Sequence, residues 1–119
     1  MSEYVTNEAL AQSARKRIFE TAHSMISGDI SFIEGARTLS NLRHSAAIRD
    51  DDPDFMIFVG IDSETDALPI GAVRQYWSID ALAKLDREIE KAEAWAKQFG
   101  INSCESLVQR FHHPVSPNG

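Results

Sequence analysis

SIDALAKLDREIEKAEAWAKQF, residues Ser78–Phe99, is the stretch whose reading decides the fold. Leu82, Leu85, Ile89, Ala92, Ala96 and Phe99 recur at spacings of three and four, with Trp95 beside them. That is the period of an amphipathic helix with one apolar stripe. Ser78 suits the N-cap, where its hydroxyl accepts a free first-turn N–H. Asp80–Lys84 and Glu93–Lys97 lie four residues apart on the outer face, each pair contributing roughly 0.2–0.5 kcal/mol. Gly100 is read as the stop, and Asn102 with Glu105 as a capping box. A last helix would then carry Cys104, Leu107, Val108 and Phe111.

Working outward, about Asn7 to Ser27 repeats the helical period through Leu10, Ala14, Ile18, Ala22 and Met25, with Phe19 and Ile26 widening the stripe. Gly28 stops it. Ser31 followed by Glu34 opens a second helix whose apolar face is Phe32, Ala36, Leu39, Leu42 and Ala46. The short link predicts an antiparallel hairpin. Asp52-Pro53 reads as a cap followed by a first-turn proline. Phe55–Ile61 is apolar at every position, so periodicity alone leaves it open between helix and strand. A short buried helix is favoured, because no partner strand is evident elsewhere. Asp62 to Pro69 reads as a loop, and Ile70–Trp77 as a short helix or turn. The prediction is an all-α, irregular bundle of four main helices plus one or two short ones. Residues 1–111 would form one domain, and 112–119 a disordered tail.

At 119 residues, with 43% hydrophobic and 25% charged side chains, the chain has the make-up of one ordinary globular domain. No apolar run approaches the ~18 residues that span a bilayer. The N-terminus lacks a basic-then-apolar leader pattern. Cys104 is the single cysteine, which excludes an internal disulfide or a cysteine-based zinc site. These features predict a cytoplasmic protein. The net charge of −6 is uneven, with Asp50, Asp51, Asp52, Asp54, Asp62, Glu64 and Asp66 falling in a stretch without Lys or Arg. Such a field repels nucleic acid and attracts basic protein surfaces.

The chemical motifs are thin. Glu20 and His23 have the Glu-x-x-His spacing of di-iron bundles, but no second pair exists to complete a site. A calcium loop starting at Asp62 would need glycine and glutamate where Ala67 and Val73 stand. No phosphate-cradling, dinucleotide or nucleophile-elbow motif is present. Cys104 lies at an apolar helical position, which suits a small core residue. His112-His113 in a proline-bearing tail reads as solvated. The expectation is a chain that is no enzyme, with no catalytic residues, no metal and no cofactor. The aromatics fall mostly on apolar stripes, where core packing is expected, Trp77 included. Tyr76 beside the acidic run is a candidate interface anchor.

Met25-Ile-Ser-Gly-Asp-Ile-Ser-Phe-Ile-Glu-Gly-Ala-Arg-Thr-Leu39 and Asp62-Ser-Glu-Thr-Asp-Ala-Leu-Pro-Ile-Gly-Ala-Val-Arg-Gln-Tyr-Trp77 resemble stretches of a small family of bacterial helical proteins. Some of its members look like immunity proteins of contact-dependent or polymorphic toxin systems. The resemblance covers roughly residues 20 to 110 and supplies no catalytic motif. It implies a cytoplasmic inhibitor that binds a cognate toxin domain stoichiometrically. Asp50, Asp51, Asp52, Asp54, Asp62, Glu64 and Asp66 would supply charge against a basic, nuclease-like cleft, with Tyr76 at the rim. Two other classes stand beside it. One is a small metal-dependent or hydrolytic enzyme using the carboxylates; the other is a self-associating subunit paired through the Leu82–Phe99 stripe.

Overall fold

Three side chains set where helices begin. Ser31 Oγ accepts the Glu34 N–H at 3.0 Å, Asp52 Oδ1 accepts those of Asp54 and Phe55 at 3.1 and 3.2 Å, and Ser78 Oγ accepts that of Ala81 at 3.1 Å. Each satisfies a donor that the helix itself leaves unpaired. The computed structural model describes residues 7–112. Its elements are α1 (Asn7–Ser27), α2 (Phe32–Ser45), α3 (Pro53–Thr65), a 3-10 helix (Gly71–Tyr76) and α4 (Ile79–Arg110). Four long helices, a short one and no strand among the described residues make the protein all-α.

α1 ends as its glycine predicts. Gly28 has φ +86°, its N–H reaches Met25 O, and the Asp29 N–H reaches Ser24 O at 2.9 Å. That doubled bond is a Schellman ending. α2 ends the same way, with Ile48 N–H on Arg43 O, but Ala47 holds the left-handed position at φ +58°. Arg15 Nε at 3.3 Å from Ala46 O ties the middle of α1 to the end of α2, and the two helices, joined by a short link, form an antiparallel hairpin.

Phe55–Ile61 is helical. α3 buries Phe55, Phe58, Ile61 and Thr65 along one side and leaves Met56 exposed on another. A helix apolar all round cannot bury every face unless it is surrounded. Ile18, Met25, Phe32, Ile33, Leu39, Cys104 and Leu107 complete the core between α1, α2, α3 and the second half of α4.

Several sequence expectations are corrected. Gly100 does not end a helix: α4 runs unbroken to Arg110, and the Asn102–Glu105 pattern starts nothing. Gly100 is there for close packing. A Cβ at that position would stand 3.0 Å from Ile61 Cδ1 and 3.4 Å from Phe58 Cε1. Asp62–Thr65, expected as loop, is the last turn of α3. Leu10, Trp77, Trp95 and Phe99 are exposed, although they lie on or beside apolar stripes. Leu82, Leu85 and Ile89 are only half-buried, and the fully buried residues of α4 begin at Ala96. The reason is length: 32 helical residues extend about 48 Å, further than α1–α3 can cover. The expected tail at 112–119 lies outside the described residues except for His112, whose ring sits 5.8 Å from that of Phe19.

Candidate partner-binding surface

The carboxylates singled out in the sequence do not form one patch. Asp50–Asp54 stand at the start of α3 and Asp62–Asp66 at its end, which a helix of that length separates by about 18 Å. Four of the seven are engaged within the chain. Asp52 takes Arg110 Nη2 at 2.6 Å, and Asp54 takes Arg110 Nη1 at 2.9 Å and the Ser106 hydroxyl at 2.6 Å. The Arg110 guanidinium holds the Asp52 carboxyl below its ordinary pKa, against the opposing effect of burial, and the Phe55 N–H adds to the lowering. The pair in turn raises the pKa of Arg110. Asp51 meets Arg49 at 3.0 Å on the surface, and Asp62 lies 3.7 Å from Arg37 Nε. Asp50, Glu64 and Asp66 are exposed and carry no ion pair among the described residues.

Tyr76 lies at the other end of the molecule from Arg110, on the 3-10 helix that precedes α4. It is 80% exposed, and Ile79, which sequence reasoning passed over, is 85% exposed. Val73 and Trp77, at 44% and 40%, complete four large apolar residues within seven positions. The signal was present in Tyr76-Trp77-Ser78-Ile79, because apolar residues around a helix cap have no preceding turn to cover them.

The chain leading into this tip is tied by hydrogen bonds at several points, although the 3-10 helix itself buries no residue. Arg37 of α2 donates to the carbonyl oxygens of Thr65 and, at 3.3 Å, of Leu68. Arg74 reaches Pro69 O at 3.3 Å and Asp86 Oδ1 at 3.2 Å, while the Trp77 N–H closes on Arg74 O at 3.0 Å. Gly71 takes φ +71°, and a Cβ there would press against the Glu34 carboxylate. A threefold period puts Gly71 and Arg74 on one ridge, Val73 and Tyr76 on another.

Behind the tip, a cleft of about 490 Å³ opens between the 3-10 helix, the start of α2 and α4. Ile70, Gly71, Ile89 and Ala94 line it, with Ser31, Glu34, Arg74, Glu90, Glu93 and Lys97 around them. Glu93 does not face outward to pair with Lys97, as its spacing suggested: its carboxylate accepts the Phe32 N–H at 2.5 Å and the Ile33 N–H at 3.2 Å, capping α2 from a different helix.

The other sequence candidates resolve simply. Glu20 and His23 are exposed on α1, with His23 stacked on Phe19 at 6.0 Å. Cys104 is fully buried with Sγ 3.8 Å from Met25 Sδ, and burial pushes its thiol up to about 12, with Glu105 adding to the rise. Among the described residues no three His, Cys, Asp or Glu side chains converge as metal ligands, and no helix is long and apolar enough to cross a membrane.

The fold and surface thus define an all-α protein with an apolar tip on a 3-10 segment and an acidic body. The chain matches no protein-family model, no curated protein and no solved structure.

Proposed function

We propose that this chain is a protein-binding domain of immunity type, which acts in the cytoplasm by capturing and neutralising a basic, nuclease-like toxin domain stoichiometrically. The observation that carries the binding role is the tip. Tyr76 and Ile79 expose most of their surface beside Arg74, which bonds Pro69 O and Asp86, while Arg37 ties the preceding chain at Leu68. Aromatic and aliphatic anchors on a preorganised surface lose little entropy on docking, so they serve well as binding hot spots. Glu64 and Asp66, at the end of α3 that feeds the 3-10 helix, would contact the basic surface. At the far end Asp50, Asp51, Asp52 and Asp54 outnumber their partners Arg49 and Arg110, and that excess would add to the field that speeds encounter. The toxin-directed form of the reading comes from the family resemblance and the net charge of −6.

The test is co-expression with the C-terminal domain encoded by the neighbouring reading frame. A domain that kills alone and is silenced in a stable complex supports the role, provided Tyr76→Ala with Ile79→Asp abolishes protection. A harmless neighbour, or a double variant that protects fully, overturns it.

A further inference from the structure

The cleft behind the tip matches one kind of ligand group. We infer that it is the socket for an arginine side chain of the docked partner, an inference that rests on the basic-partner reading above. Ile70, Ile89 and Ala94 offer an apolar floor for an aliphatic stem. Its volume, about 490 Å³, falls within the range of pockets that hold small ligands. Of the charged groups around it, two are already committed: Arg74 to Asp86 and Pro69 O, Glu93 to the start of α2. Glu34 and Glu90 are exposed carboxylates with no ion pair among the described residues, and Lys97 is the remaining cation. The uncommitted charge is therefore two negative against one positive.

Glu34 also lies close to Gly71. Its Oε2 lies where any side chain at residue 71 would press on it, so glycine at 71 lets the carboxylate lie against the wall of the cleft. An arginine fits better than a lysine, since its planar fork can bond carboxylates on two walls and its head is more weakly hydrated. The ridge of Gly71 and Arg74 faces the cleft, while Val73 and Tyr76 stand on the other ridge of the same helix. The two ridges are neighbours on a threefold helix, so a partner that covers the tip and extends around the 3-10 helix would meet the cleft.

The experiment needs no identified partner. Isotope-labelled full-length protein is titrated with N-acetylarginine methylamide and, separately, with the uncharged N-acetylcitrulline methylamide, following backbone amide shifts. Saturable shifts at Gly71, Arg74 and Ala94 are expected. Arginine should bind at least about fivefold more tightly than citrulline, the scale of one or two exposed charge pairs. Glu34→Gln with Glu90→Gln should reduce arginine to the citrulline level, and Lys97→Gln should tighten it. Equal response to both probes, shifts centred on Asp50–Asp54 or Asp66, or an unchanged Lys97→Gln variant would overturn the socket. Because no partner enters the titration, its failure leaves the co-expression result standing, and failure of protection leaves the titration standing.

Discussion

At the scale of single residues, Arg110 and Glu93 are two long-range fasteners that can be tested separately. Arg110 closes the far end of α4 onto the start of α3 through Asp52 and Asp54, both mostly buried. Removing it strands two carboxylates that have already lost much of their water. Arg110 is itself more than a third exposed, so screening reduces the loss, and Arg110→Ala is expected to cost about 1–2 kcal/mol in urea denaturation at neutral pH. The pH dependence has a definite sign. The Asp52 pKa is depressed below 3.8 in the folded protein, so its stabilisation is complete above that value and disappears as the pH falls through the folded pKa. Stability should drop on acidification below about pH 4, and drop less in Arg110→Ala than in wild type. Glu93 is the second fastener. With its carboxylate on two first-turn N–H groups and at the positive end of a helix dipole, Glu93→Ala should cost about 1–3 kcal/mol. Amide exchange at Phe32 and Ile33 should rise ahead of exchange in α3. A variant in which those two amides stay as protected as in wild type would refute the cross-helix cap.

Whole elements show what local sequence can and cannot specify. Ser31, Asp52-Pro53, Ser78 and Gly28 each act within four residues of themselves, and the starts of α2, α3 and α4 and the end of α1 were accordingly legible. Gly100 was not. Glycine gives the same signal at a helix end, where it supplies positive φ, and at a helix crossing, where it makes room. Only Phe58 and Ile61, some forty residues away in sequence, distinguish the two. The all-apolar run Phe55–Ile61 was ambiguous for a related reason: which of its faces is covered depends on α2 and α4. Two glycines turn this into a measurement. Gly60 and Gly100 both sit inside helices, where alanine is favoured by about 0.8–1 kcal/mol. At Gly60 the nearest atom to an added Cβ is Phe99 Cε2 at 4.0 Å, so Gly60→Ala should stabilise by most of that amount. At Gly100 the approach to Ile61 and Phe58 is tight in a core that is close-packed, so Gly100→Ala should destabilise instead. Thermal melts of the two variants should move in opposite directions.

The described residues extend 54 Å with a radius of gyration of 16.3 Å, against about 13 Å for a compact chain of roughly a hundred residues. The excess fits the 32-residue length of α4, whose first half has no fully buried residue before Ala96. None of this was legible from the apolar stripe. Leu82, Leu85 and Ile89 follow the helical period as faithfully as Ala96 and Leu107, and periodicity does not record that α1–α3 run out before α4 does. The charge run was legible as composition, but the engagement of Asp52, Asp54 and Asp62 depends on Arg110 and Arg37 arriving from other helices. A tip set off from the core should be separable from stability. Tyr76→Ala with Ile79→Asp removes surface that is mostly in water already, so the stability should stay within about 0.5 kcal/mol of wild type. If the tip is the docking surface, the same variant loses the partner through faster dissociation, since anchors act mainly on residence time. Reversing Glu64 and Asp66 to lysine should instead slow association and flatten its dependence on salt. Stopped-flow binding at two ionic strengths separates these effects. A tip variant that dissociates at the wild-type rate would place the interface elsewhere on the molecule.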